Sequence, residues 1–503
     1  MIKKAGDTKN QKRKIKKENR VKTTEERRNK KTAERLKQEE MTIIYRSAGL
    51  MKWLSKETMD KFAILTGYTQ RSNAKITPFV FVFAMVYGMF GDGASTFVTL
   101  ASSIEKWFKV YITPQALFGR ISKDKTVQFL KIALFEAMNH QLLSGLDNRY
   151  AIIFKFFTGG VKLEDSTQFT LSEEMPKGFK GCGGSGSKSA VKLNFVYDIT
   201  RNTVDSIDIE SGCVPDQKFK NIKKFIRKKM LWIRDLGYFN TSDMVIINAI
   251  GAFFLSRFKR GVKLFINQSD TTSVEVLSFL KKQTEGGKIL DQDVYVGAQK
   301  VPVRIICRAD PDSVKEKRIK QHEKNKIKRD KNKVEPTEDF YTWFGYSIYI
   351  TNIPRNVMSA ENILTVYRIR WQIELFFKRL KSILEIQIIK GNNVNRVLCI
   401  IYAKLISVLV AESIISYAAS IASEIDDEEL SEYKLLKWLK VYNRLGNALI
   451  VGAKGVEILL CDLICSYYLL CKNKGKKKKS TLKIIKESFN TEKTDCEPLV
   501  KTA

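Results

Sequence analysis

Four strand-like runs in the middle of the chain constrain its fold more than any other feature. Val161–Thr170, Val191–Tyr197, Thr203–Ile209 and Leu231–Ile233 are rich in β-branched and aromatic residues, and much of their alternation has the two-residue period of strands. The last run ends at Asp235. An apolar helix is expected over Asp243–Lys259 and another strand over Tyr346–Thr351. Residues 41–150 read as helical, 260–340 as rich in strands and loops, and the chain from Ser359 onward as almost wholly helical. Strands, helix, strand and helix in that order make an α/β fold.

At 503 residues the chain exceeds one compact core. Its 88 Lys and Arg against 54 Asp and Glu give a net charge of +34, a surface that attracts polyanions, nucleic acid first among them. Three runs concentrate the charge: residues 1–40 (16 basic, 7 acidic), residues 315–333 (10 basic, 3 acidic) and residues 472–479 (six Lys). The first has almost no apolar residues and cannot form a core alone. The second is either an extra DNA-contacting helix or an exposed loop.

The two histidines, His140 and His322, stand apart. Zinc hydrolases built on paired histidines and His-activated nucleophiles therefore have no material here, and carboxylates must carry any chemistry. Eight scattered cysteines without a CxxC pair read as reduced thiols of a cytoplasmic protein. The longest apolar stretch, Val397 to Ser423, contains Lys404 and Glu412, which marks a buried helix rather than a membrane span.

Thr113-Pro114 is a good helix start, because the Thr oxygen caps and Pro at the first position loses no hydrogen bond. A helix near 102–110 followed by one from 114 is either a helix-turn-helix, with Gln115 and Arg120 facing DNA, or an ordinary hairpin. Residues 182–189, CGGSGSKS, imitate a phosphate loop but lack both required glycines and lead into a strand, which excludes nucleotide binding there.

The segment 361–387 carries most of the functional information. On one continuous helix Tyr367, Arg370, Glu374 and Lys381 fall within an arc of about 60°, with Ile369, Ile373, Phe376 and Leu380 opposite. Periodicity alone allows an amphipathic helix with i,i+4 pairing. The spacing Tyr-x2-Arg-x3-Glu-x6-Lys, with Trp371 after the Arg, resembles the signature of bacterial insertion-sequence DDE transposases of the insertion-sequence-four family. Other segments are similar to that family as well. They are Glu164-Asp165-Ser166-Thr167 on the first expected strand, Gly181-Cys182-Gly183-Gly184, Tyr197-Asp198, Arg234-Asp235-Leu236-Gly237-Tyr238-Phe239 and Thr351-Asn352.

The resemblance implies an α/β fold: an RNase H-like catalytic core with a β-rich insertion, flanked by helical N-terminal and C-terminal regions. The expected division is a basic arm (1–40), a helical DNA-binding domain (41–150) and a first part of the core (151–259). A β-rich insertion with the basic run (260–340), a second part of the core (341–395) and a helical C-terminal region (396–503) follow. Asp165, Asp235 and Glu374 are the implied catalytic and metal-binding residues, with Asp198 in reserve for the first. The implied cofactor is Mg2+, two ions, with Mn2+ as substitute; oxygen donors select such hard cations. Tyr367, Arg370, Trp371 and Lys381 are the implied DNA-binding residues. Trp343 is either a base-stacking residue or a core aromatic. The implied partners are double-stranded DNA, as transposon ends and target, and a second copy of the chain in a synaptic homodimer. No membrane is implied, and the implied location is the bacterial cytoplasm, at the nucleoid.

Overall fold

A computed structural model describes most of residues 52–491 and scattered positions from 23 to 49. Outside it lie 1–22, 70–74, 91–95, 143–147, 330–336, 427–430, 472–479, 492–503 and some single positions. The lysine run at 472–479, most of the basic arm and the centre of the CGGSGSKS segment are therefore outside the described residues. The chain divides into two compact units, one of residues 1–145, 379–386 and 393–476, the other of 146–378, 387–392 and 477–503.

Every element described in the first unit is helical. Pro78–Gly88 is apolar almost throughout and buried, started by Thr77, whose side chain accepts from the Val80 amide. Val394–Asp426 is the long helix of this unit. Among the described residues, its segment Val394–Ile421 alone is long and apolar enough to cross a membrane, and 83% of that segment's most apolar window is buried within the fold. Its Glu412 carboxylate accepts two hydrogen bonds from Arg379, at 2.7 and 2.8 Å, as a buried helix carrying a charge requires. The expected hairpin forms as Phe97–Phe108 and Pro114–Ile121, with Thr113 accepting from the Ala116 amide at 3.2 Å. Gln115 is exposed. Arg120, by contrast, donates to the Tyr68 hydroxyl at 3.0 Å and packs over that ring, so it is engaged within its own unit.

The second unit is built on one nine-stranded sheet, ordered β3-β2-β1-β4-β5-β9-β8-β7-β6. β1 (Val161–Thr170), β2 (Ala190–Asp198) and β3 (Thr203–Ser211) form an antiparallel meander; β4 (Leu231–Arg234) and β5 (Phe253–Arg257) add parallel to β1. β6 (Leu264–Phe265), β7 (Leu290–Val296), β8 (Val301–Ala309) and β9 (Tyr346–Thr351) complete the sheet.

One expectation is corrected here. The apolar segment 243–259 is not one helix. The helix Thr241–Ile250 stops at Gly251, whose φ of +72° suits glycine, and the next residues become β5. A continuous apolar run fits a buried strand as well as a helix, and the consecutive β5 residues Phe254, Leu255 and Ser256 are all buried. Residues 260–340, expected to be rich in strands, hold three of them. β6, β7 and β8 extend the same sheet, and β9 runs antiparallel between β5 and β8. Asn352 fastens β9 beside β5, accepting from the Phe254 amide and donating to the Ala252 carbonyl, both at 2.8 Å. The described part of the basic run, residues 315–329, lies in a helix, Asp312–Arg329, rather than a loop.

Candidate active site

Backbone register sets the site. Glu164 on β1 lies level with Arg234 on β4, so the next residues, Asp165 and Asp235, leave neighbouring parallel strands side by side. Asp235 caps a short 3₁₀ turn, Leu236–Tyr238. The third carboxylate comes from the helix Trp371–Ser382. Segment 361–387 is not one continuous helix: a 3₁₀ turn at Tyr367–Arg370 separates Ala360–Val366 from Trp371–Ser382. The expected inner face still holds, and Ile369, Ile373, Phe376 and Leu380 are all buried. Phe376 meets the Phe195 ring edge-on at 5.4 Å and stacks on Tyr197, which fixes the helix against β2.

Arg370 lies amid the three carboxylates. Its Nη1 is 3.4 Å from Asp165 Oδ2, its Nε is 3.8 Å from Asp235 Oδ1, and its Nη2 donates to Glu374 Oε1. The Nε is buried without a hydrogen-bond partner. Burial pushes the Asp165 carboxyl up to about 7; the Ser166 amide and Arg370 oppose the shift, and Asp235 and Glu374 add to it. For Arg370, burial works against the charge, yet Asp235, Tyr367, Glu374 and Asp165 together raise its pKa. Three acids thus share one guanidinium.

The remaining implied residues are placed differently from one another. Trp371 is 52% exposed beside the site. Tyr367 is buried, its ring tilted against that of Tyr349 at 4.6 Å, with its hydroxyl donating to the Arg234 carbonyl at 3.4 Å. Lys381 is half-buried on the last turn of its helix, and burial lowers its pKa. Its stretch, 379–386, is grouped with the first unit. Asp198 stands away from this group as a buried cap. It accepts from the Thr200 amide at 2.9 Å and the Arg201 amide at 3.2 Å and pairs with Lys162. Trp343 packs beside Phe258 against the sheet core, as a core aromatic does.

A family model described as "Transposase DDE domain" matches residues 160–410, a span that contains all three acids. The chain is 27% identical over 469 residues to the transposase for insertion sequence element IS1151 of Clostridium perfringens, an alignment covering 87% of this chain and 98% of that one. It is 25% identical over 362 residues to the transposase for insertion sequence element IS231F of Bacillus thuringiensis subsp. israelensis, covering 67% and 73%. The chain belongs to the DDE transposases of bacterial insertion sequences. It is an enzyme that cuts and transfers DNA strands, and DNA is its partner.

Transposases of this class use divalent metal ions. The donor chemistry here fits such an ion: three carboxylates from three elements share a single guanidinium. As the side chains stand, no three His, Cys, Asp or Glu among the described residues converge closely enough to hold a metal. The Arg370 guanidinium fills the space between them.

Sequence reasoning missed the layer beneath the transposase site. Glu164 is fully buried and accepts from Arg234 Nε at 2.8 Å and Asn221 Nδ2 at 3.0 Å. Arg234 Nη1 pairs with Asp243 at 2.6 Å. A signal was available: charged residues stood at buried strand positions directly before both aspartates, and such charges require partners.

Proposed function

We propose that the chain is a cut-and-paste transposase that binds the terminal inverted repeats of its element, cleaves at their ends and joins the freed 3′-hydroxyls to target DNA. The observation that carries this reading is the gathering of Asp165, Asp235 and Glu374 around Arg370. The order β3-β2-β1-β4-β5, with β4 and β5 parallel to β1, supports an RNase H-like core. Asp165, Asp235 and Glu374 would hold two Mg2+ ions, with Mn2+ as substitute. When bound, such ions polarise the scissile phosphate and stabilise the leaving oxygen. Arg370 grips a phosphate of the transposon end by its planar fork, and in doing so leaves the carboxylates. Trp371, exposed beside Arg370, stacks on a base at the end of the element. Lys381 binds a neighbouring phosphate about 10 Å along the helix from Glu374. Tyr367, buried with its hydroxyl on the Arg234 carbonyl, serves the same DNA contact from beneath by supporting Arg370 over its ring. Both ends must be cut together, so the active form is a homodimer bridging two ends, in the bacterial cytoplasm at the nucleoid.

The test is incubation with donor DNA carrying both ends and Mg2+. Paired double-strand breaks are expected, and Asp165→Ala, Asp235→Ala and Glu374→Ala should each abolish them while retaining end binding. Full cleavage by any of the three variants removes that residue from the catalytic set, and binding without cleavage by the native chain overturns the enzymatic reading.

A further inference from the structure

The basic helix Asp312–Arg329 sits on the same edge of the sheet as the catalytic acids. β4 runs out at Asp235, and β5, parallel to it, runs out at Arg257. β9 enters and β8 leaves at that same edge, because Arg257 is level with Tyr349 and Ala309 with Tyr346. The helix begins three residues after Ala309. From β4 to β8 is three strand spacings, about 14 Å. A duplex whose backbone enters the site can therefore reach the helix without bending.

The helix has two faces. Its inner face is pinned. Arg318 donates to the Phe344 carbonyl at 2.9 Å and the Tyr346 carbonyl at 3.1 Å, and it pairs with Asp310 at 2.8 Å. His322 lies on the same face, 4.9 Å from the Phe340 ring and 5.5 Å from Phe344. Lys317, Lys320 and Lys324 are exposed, and none of them forms an ion pair among the described residues. At about 100° per residue the three fall within roughly 60° of one another, on the side opposite Arg318 and His322. Their stripe is about 10 Å long, which matches some three phosphates of one DNA strand at 3.4 Å each.

The ground between site and helix is also basic. Exposed Arg257 lies over the Tyr367 ring at 6.0 Å, and Arg260 lies over the Phe340 ring at 4.9 Å. Phe340 in turn touches His322 of the helix. Guanidiniums thus lead from Arg370 to the lysine stripe by way of aromatic supports.

We infer that the outer face of this helix is a rail for the phosphate backbone of duplex DNA running away from the cut. The contact is independent of sequence and is made by Lys317, Lys320 and Lys324. The inference rests on the transposase reading but concerns a different surface. A pinned helix suits this use better than a loop would, since its ammonium groups lose less freedom on binding.

The experiment uses the full chain and the triple variant K317Q/K320Q/K324Q. Each is titrated with a short duplex reaching only about two base pairs past the cut, enough to hold the scissile bond but too short to reach the helix, and with one extended about 20 base pairs past it, across a salt series. The native chain should show the steeper salt dependence on the long duplex. In the triple variant that log–log slope should fall by about 2.7, at about 0.9 per lost phosphate contact, with the short-duplex slope unchanged. Cleavage of the short duplex should match that of the native chain, and the unfolding midpoint should not move. An unchanged long-duplex slope overturns the rail. So does a variant that keeps its DNA slope but changes its oligomeric state, which would make the stripe a protein-contacting surface. Failure of the native chain to cleave the short duplex is a separate result and counts against the transposase reading instead.

Discussion

Glu164 and Arg234 form the support on which Asp165 and Asp235 stand, and their removal has a cost that can be ordered in advance. Glu164→Leu leaves the Arg234 guanidinium with Asp243 still paired at 2.6 Å, so one buried charge is half-satisfied. Breaking a buried pair by removing one partner costs about 3–5 kcal/mol, and this variant belongs at the lower end. Arg234→Met strands two carboxylates, Glu164 and Asp243, both buried, and belongs at the upper end, about 5 kcal/mol. The double variant leaves only Asp243 without its cation. Its loss should fall short of the sum of the single losses by at least about 2 kcal/mol, because the two side chains share one interaction. Equilibrium urea unfolding of all four proteins measures this, and end cleavage should fall in every variant as the strand ends lose register. A strictly additive double variant, or a Glu164→Leu loss larger than that of Arg234→Met, would refute the coupled-pair account.

Arg370→Gln removes the one cation among three acids. Its unfolding midpoint in chelator should drop below that of the native chain and recover more steeply with added Mg2+; equal metal-induced shifts in both proteins would contradict the counter-ion role. Deleting residues 1–40, which carry a net charge of +9, should weaken DNA binding and flatten its salt dependence without moving the cleavage position. Salt-titrated binding checks this, and an unchanged slope would exclude the arm from the DNA contact. Burial lowers the Lys404 pKa to about 8, against the pull of Glu385 and with some help from Lys440. Between that value and the unfolded value the unfolded chain holds the extra proton, so stability should rise with pH across the window, by up to about 3 kcal/mol. Lys404→Met should lose that rise. Urea midpoints at pH 7.5 and 10 that differ equally in both proteins would sink the prediction.

The strands were legible where side chains alternate and turns are marked. β1 spans Val161–Thr170, as the residue pattern suggests, and Asp165 and Asp235 follow from their places on and after strands. β5 was not legible, because a strand buried on both faces has no polar alternation to distinguish it from a helix. The one local signal was Gly251, and a glycine inside an apolar run is tolerated in helices too. The break at Tyr367–Arg370 was invisible for a related reason. A 3₁₀ turn inside two helices changes the wheel angle of what precedes it without changing the residue types. The inner residues Ile373, Phe376 and Leu380 lie on the far side of that turn, so their face survived the error.

The charges of the site are graded by depth. Beneath it, Arg234 is bonded to two carboxylates and Glu164 to both Arg234 and Asn221, so that layer has one cation for two acids, with their hydrogen bonds met by the protein itself. One residue further along each strand the deficit of positive charge is larger. Asp165, Asp235 and Glu374 have a single guanidinium between them, with one of its nitrogens unbonded. In a chain of net charge +34 a lasting local deficit of positive charge is not forced by composition; lysines are plentiful and could have been placed there. A site that supplied its own full complement of cations would bind metal weakly and would have no arginine free to move onto phosphate. A site without Arg370 would carry three repelling acids whenever DNA and metal were absent. Sharing one guanidinium among three carboxylates eases their repulsion in the first state, and it leaves the uncompensated negative charge that the proposed function needs in the second.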